Sequence, residues 1–171
     1  MRRLMMVCAC LCFFMLHLPA HSAGGGGGAG GGGGGGVSGG AADVDDVDYQ
    51  AAMAAVKSED WSQVLARMSA FVQRQPRNAD AWNELGHAAR KLGDTDSAFR
   101  HYAKALEINP KHKGAHEYLG EAYLQVGDLA HAEQELRALD SICFFPCEEY
   151  SDLKEQIRQY KIQHVTADAR R

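Results

Sequence analysis

The sequence predicts an all-α solenoid of repeated helical hairpins, on three observations. Residues recur at one offset: Pro76 and Pro110 are 34 positions apart, and so are Leu85 and Leu119, Gly86 and Gly120, Gly93 and Gly127, Asp94 and Asp128, and Ala98 and Ala132. Each unit is broken midway by a helix stop followed by a helix start, Gly93-Asp94 and Gly127-Asp128. The segment after the last unit places Tyr150, Leu153, Ile157 and Tyr160 on one helical face, with Asp152, Lys154, Glu155 and Arg158 on the other.

The chain opens with Arg2 and Arg3, then an apolar stretch from Leu4 to Leu18 broken only by His17. Ala20 and Ser22 are small residues two apart, the pattern of a cleavage site. Residues 1–22 therefore read as a secretory signal peptide cut after Ser22. An uncleaved anchor is the alternative, but a spanning helix needs about 20 apolar residues and this stretch is shorter. The expectation is an exported protein, in the periplasm or secreted, with no stable membrane span after cleavage. Cleavage removes Cys8, Cys10 and Cys12 and leaves Cys143 and Cys147. The net charge of the full chain is −4 and its pI is near 6.0. Neither the charge nor any basic stripe favours a nucleic-acid partner.

Residues 24–40 hold 14 of the 19 glycines. Such a tract buries too little apolar surface to offset chain entropy, so residues 23–42 read as a disordered linker. The remaining stretch, 43–162, is long enough for one core. It divides into units at about 45–78, 79–112 and 113–146, then a capping helix at 148–161 and a frayed tail at 163–171. The helices are expected at 45–57, 60–75, 79–92, 95–108, 113–126, 129–142 and 148–161. Gly93 and Gly127 stop the first helix of each pair, and Asp94 or Thr95, and Asp128, start the second. Pro76 and Pro110 lie beyond helix ends. Gly86 and Gly120 sit inside helices, where glycine costs about 1 kcal/mol against alanine, so a close helix approach is expected there.

A 34-residue helix–turn–helix period closely resembles the tetratricopeptide repeat. Residues 79–112 carry its signature as Trp82, Leu85, Gly86, Ala89, Ala98, Tyr102, Ala105 and Pro110. Residues 113–146 repeat it with Leu119, Gly120, Tyr123, Ala132, Leu136 and Leu139, and with His116 in place of the tryptophan. The unit at 45–78 is degenerate. The resemblance implies a concave groove lined by the first helix of each repeat. Its positions here are Asp46, Tyr49, Met53 and Val56, then Asp80, Asn83, His87 and Arg90, then Gly114, Glu117, Glu121 and Leu124. The groove so drawn is basic at Arg90 and Lys91, acidic at Glu117 and Glu121, and apolar at Met53 and Val56. The candidate binding residues are Asn83, His87, Arg90, Lys91, Glu117 and Glu121. Asn83 alone does not complete the lysine-and-asparagine clamp that chaperone-binding members use for a C-terminal carboxylate.

Cys143 and Cys147 are four apart, which on a helix places their Cα atoms within bonding range, and an even pair in an exported chain reads as a disulfide. A metal or redox-active dithiol is the alternative, although no histidine completes a metal set and the spacing is not that of a thioredoxin-like motif. His87, His101, His112, His116, His131 and His164 read as ordinary surface histidines. Asp43, Asp45, Asp46 and Asp48 lack the glycine and distant glutamate of a calcium loop and suit a helix start. No catalytic residue, cofactor or metal is expected. The sequence points to a non-catalytic module of the cell envelope that binds an unidentified protein or peptide as an adaptor or assembly factor. The alternative is a redox or metal-handling accessory working through Cys143 and Cys147.

Overall fold

The computed structural model describes residues 46–168, with the side chains of 165–168 left out. The expected signal peptide at 1–22, the linker at 23–42, Asp43, Asp45 and the end of the tail at 169–171 lie outside the described residues. Within them are seven helices and no strand: α1 Val47–Lys57, α2 Trp61–Arg74, α3 Ala79–Lys91, α4 Thr95–Ile108, α5 Lys113–Gln125, α6 Leu129–Ile142 and α7 Glu148–Asp168.

The hairpin turns are the same device used three times, at a spacing of 34 residues. In each, one residue takes the left-handed backbone conformation: Glu59 at φ 56°, Gly93 at φ 85° and Gly127 at φ 82°. Two crossed bonds close each turn. Asp94 N–H reaches the Ala89 carbonyl at 2.9 Å, and Gly93 N–H reaches Arg90 at 3.1 Å. Asp60 with Ala55 and Glu59 with Val56 do the same, as do Asp128 with Tyr123 and Gly127 with Leu124. This is the Schellman end of a helix. Its last residue then starts the next helix, because Asp60, Asp94 and Asp128 each accept the backbone N–H three residues on. One aspartate therefore finishes one helix and begins its partner.

Between repeats the same economy recurs. Asn78 caps α3 by accepting from Ala81 N–H at 2.8 Å. His112, 34 residues on, caps α5 with its ring, Nδ1 accepting from Ala115 N–H at 3.0 Å. At the start of α1, Asp46 is the cap. Asp46 and Asp48 both bond Arg74, and Asp48 also bonds Arg67. The Arg74 guanidinium, with help from the backbone bonds, holds the Asp46 carboxyl below its usual range.

Neighbouring helices pack in sequence order, and α3 also meets α5 while α5 meets α7. The second helices α2 and α4 make no comparable contact with each other, nor do α4 and α6. Helices α3, α5 and α7 therefore form the closer, inner layer, and α1 joins it through α2. The core runs along the solenoid as three clusters. Val64, Met68, Phe71 and Leu85 join the first two repeats. Tyr102, Leu119 and Ala122 join the second and third. Leu139, Leu153 and Ile157 join the third repeat to α7. A Cβ added at Gly86 would lie 2.5 Å from the Tyr102 ring, and one at Gly120 would lie 2.6 Å from a Leu153 methyl. Gly86 thus makes room for a ring of its own repeat, and Gly120 makes room for the capping helix.

Cys143 ends α6 and Cys147 precedes α7, and the two are bonded across a Cα separation of 5.9 Å. Phe144 and Phe145 project from this loop, 92% and 75% exposed. The sequence places the end of the capping helix at 161 and a frayed tail from 163; the helix instead continues to Asp168. No glycine or proline follows Lys161 to stop it. His164 also stacks on Tyr160, with ring centroids 3.8 Å apart, and its Nδ1 bonds the Tyr160 carbonyl at 2.8 Å.

Glu59 occupies the left-handed position that glycine holds in the later turns, and it is exposed. A left-handed residue with a Cβ costs about 1–2 kcal/mol, part of which glycine returns through its freer unfolded chain. Glu59→Gly is expected to stabilise the protein by about 0.5–1 kcal/mol, measured by urea unfolding. Unchanged or lowered stability would show that the Glu59 turn carries no such strain.

Candidate functional site

The inner layer places the six sequence-predicted binding residues on α3 and α5 and uses them unequally. Arg90, on α3, and Glu121, on α5, were expected to offer opposite charges to a ligand. They neutralise each other instead: Arg90 Nη2 lies 2.5 Å from Glu121 Oε2, with both side chains largely buried. Glu121 also accepts from Gln156 of α7, and the Arg90 guanidinium sits 5.6 Å over the Tyr118 ring. This group is a tie between α3, α5 and α7.

His87 lies between two rings, 4.8 Å from Trp61 and 4.4 Å from Tyr118. Burial, then the positive charges of Arg90 and Lys91, push its pKa down to about 4, so it is a neutral ring at physiological pH. Lys91 is exposed, its ammonium 5.5 Å over the Trp61 ring. Met53, Val56 and Tyr49 of the degenerate repeat pack against the first core cluster. One end of the inner face is thus aromatic, with Lys91 at its rim.

The other end is acidic. A recess of about 290 Å³ opens between α3, α5 and α7, lined by Asn83, Glu117, Tyr118, Glu148, Glu149 and Asp152 among others. Glu117 is half-buried in it. Burial is the main cause, and Glu121, Asp152, Glu149 and Glu148 add their repulsion, so the Glu117 carboxyl is pushed up to about 8. Asn83 is only 5% exposed. Its Nδ2 donates to Glu84 Oε1 at 3.4 Å, while its carbonyl Oδ1 meets no donor. Glu84 is itself pushed up to about 7, chiefly by burial.

Sequence reasoning missed the α7 half of this recess. Asp152 reads in the sequence as part of the polar face of the capping helix, and nothing there singles out Glu148 or Glu149. Only the direction in which α7 crosses α5 turns them toward Glu117. The histidines also need correcting, since His112 and His116 are not free surface groups. His112 Nδ1 accepts the α5 cap, so its Nε2 carries the proton it donates to Asp80 Oδ1 at 2.9 Å. His116 stands where the previous repeat has Trp82, and it does the same work. Trp82 Nε1 donates to the Pro76 carbonyl at 2.9 Å, and His116 Nε2 meets the Pro110 carbonyl at 3.1 Å. The other nitrogen of His116 lies 2.6 Å from Glu135 Oε2. Burial lowers the His116 pKa, but these two bonds outweigh it and leave it raised.

Among the described residues no three His, Cys, Asp or Glu side chains form a group that could hold a metal ion. No described helix is long and apolar enough to cross a membrane.

The tetratricopeptide repeat family matches residues 79–112. Tetratricopeptide repeat protein 37 of Xenopus laevis is 32% identical over 117 residues, 62% of this chain. Protein O-mannosyl-transferase TMTC3 of Homo sapiens is 25% identical over 75 residues, 44% of this chain. The chain spans 8% of the length of each of these relatives. Among solved structures it is similar to the type III secretion translocator chaperone SycD of Yersinia enterocolitica. There the TM-score is 0.62 at 19% identity, covering 69% of this chain and 83% of that one. It is also similar to PcrH in complex with the chaperone binding region of PopD, with TM-score 0.61 at 16% identity, covering 68% and 90%. The complex of the TPR2B domain of yeast Sti1 with pHsp70 follows, with TM-score 0.54 at 18% identity, covering 72% and 95%. At these identities the structures show a common fold.

Glu117 links the recess to pH. Its folded pKa of about 8 stands above the ordinary 4.5, so the folded state holds its proton more tightly than the unfolded chain does. Stability from this group is complete below about 4.5 and declines as pH rises to about 8. Glu117→Gln should therefore gain stability over the native chain at pH 8.5 and nothing at pH 4. Discounted for partial exposure, the gain is on the order of 1 kcal/mol. Thermal melts at the two pH values check this, and an equal effect at both would contradict it.

Proposed function

We propose that this chain, a tetratricopeptide-repeat solenoid, is a non-catalytic module that binds a protein or peptide along its inner face, as an adaptor or assembly factor of the cell envelope. The observation that carries the reading is the inner face itself. It presents half-buried rings at His87 and Tyr118, flanked by Trp61 from the start of α2, next to an acidic recess at Glu117 and Asp152. Trp61 and Tyr118 rest one side on the core clusters and stay half-exposed on the other, and the recess stays open. Three supports stand beside it. PcrH is seen with a region of PopD, SycD with a peptide of the translocator YopD, and the Sti1 TPR2B domain with pHsp70, all on this fold. The Arg2-Arg3 leader and the apolar stretch after it fit export. The bonded Cys143–Cys147 pair fits an oxidising compartment.

The experiment is capture from an envelope extract by the full chain, set against two variants. Lys91→Ala with Glu117→Gln changes the inner face at two solvent-reached side chains. Cys143→Ser with Cys147→Ser removes the disulfide. The expected result is a partner lost at least tenfold by the first pair and retained by the second. A partner indifferent to the inner face would contradict the proposal. One lost only with the cysteines would move the function to the disulfide loop and to redox or metal handling.

A further inference from the structure

The partner's chemistry can be read from the recess at the acidic end of the inner face. Its wall carries four carboxyl groups: Glu117 on α5, and Glu148, Glu149 and Asp152 on α7. Among the described residues one cation pairs with them, Lys113, whose ammonium stands 3.7 Å from Glu149 Oε1. Arg90 is committed to Glu121 and His112 to Asp80, so neither offsets the charge. A second, independent observation concerns Asn83. It lines the same recess while 95% buried, and its carbonyl Oδ1 meets no donor. A buried acceptor without a donor is costly, so an arriving N–H group would gain from meeting it. The recess is therefore walled largely by carboxyl groups, and Tyr118 adds a ring to the wall.

Size narrows the occupant. About 290 Å³ stands at the small end of the range for ligand pockets, which suits one long side chain. The acids are spread along α5 and α7, and no three of them converge as a metal site. The occupant that combines several N–H donors, positive charge and an aliphatic stem is lysine or arginine.

We propose that the recess between α3, α5 and α7 receives a lysine or arginine side chain from an extended basic segment of the partner protein. This rests on the inner-face reading above and gives it a chemical class. The Glu117 carboxyl fits the same geometry: burial first, and the neighbouring carboxylates second, hold its proton, and a bound cation supplies a counter-charge.

The test uses the ¹⁵N-labelled full chain and two peptides of equal length, Ala-Lys-Arg-Lys-Ala and Ala-Gln-Gln-Gln-Ala, at 0.15 M salt. The basic peptide should give saturable shifts at the amides of Gly114, Glu117 and Asp152 and at the side-chain amide of Asn83, and the glutamine peptide should give none. Asp152→Asn, on the exposed side of α7, should weaken binding about fivefold. Asp140→Asn removes the same charge from α6, and it should change affinity less than twofold. Equal loss in the two variants would reduce the effect to net charge and overturn the proposal, as would shifts scattered outside the recess. A random peptide library selected on the protein separates the two levels. Binders without lysine or arginine that still shift inner-face amides would overturn the basic-segment inference and leave the inner-face reading standing. Binders that shift no amide of α1, α3 or α5 would overturn both.

Discussion

Leu153 lodged against Gly120 is the contact on which the functional end of this molecule depends. A side chain at Gly120 would meet the Leu153 methyls at 2.6 and 2.7 Å, so the Leu153 side chain of α7 rests directly on the α5 backbone. Leu153 is fully buried and Ile157 nearly so, which fixes the rotation of α7 about its own axis. With that rotation set, Glu149 and Asp152 face the acids of α5, and Gln156 bonds Glu121. Lys113–Glu149 and Lys161–Glu133 then tie the two ends of α7 to α5 and α6, as half-exposed pairs of small individual weight. A terminal helix that hides the last apolar face of a solenoid is a stability device. Here it also builds one wall of the recess.

The rest of the solenoid holds α5 in place by repetition. A helix pair needs a sharp reversal, and a reversal leaves backbone groups without partners. The Schellman ends at Glu59, Gly93 and Gly127, and the aspartates that follow them, answer both needs within two residues. Because each turn bonds itself, each hairpin carries its own geometry and neighbours add by packing. The tie of Arg90 to Glu121 adds a polar link between repeats two and three. Its burial makes it a contact that is costly to break from one side, so it favours one arrangement of α3 against α5.

The fold was readable in the sequence because its rules are local and recur. Gly93-Asp94 and Gly127-Asp128 announce two of the turns, and the proline spacing gives the period. The third turn was harder to read because Glu59 holds the position without glycine, and Asp60 shows its role only by its 34-residue distance from Asp94. The end of α7 was placed short because absence of a stop signal is a weak positive sign, and the Tyr160–His164 stack depends on the helix already being formed. The site was readable in part. Positions along the first helices led to Asn83, His87, Lys91 and Glu117. Nothing local says that Arg90 and Glu121 meet, since that depends on the offset between two repeats. Nothing local brings Glu148, Glu149 and Asp152 to Glu117 either, since that depends on how α7 crosses α5. His116 lay in plain view at the tryptophan position, and the shared N–H donor of indole and imidazole explains why the exchange is tolerated.

Amide hydrogen exchange on Leu153→Ala tests most directly whether one apolar contact positions the recess wall. Truncating a fully buried leucine removes about 2–5 kcal/mol, and in a solenoid that loss falls on the neighbouring element. The account predicts exchange at least tenfold faster across 148–161, with 79–108 unchanged. Protection in α7 equal to that of the native chain, or an even loss across all three repeats, would contradict it.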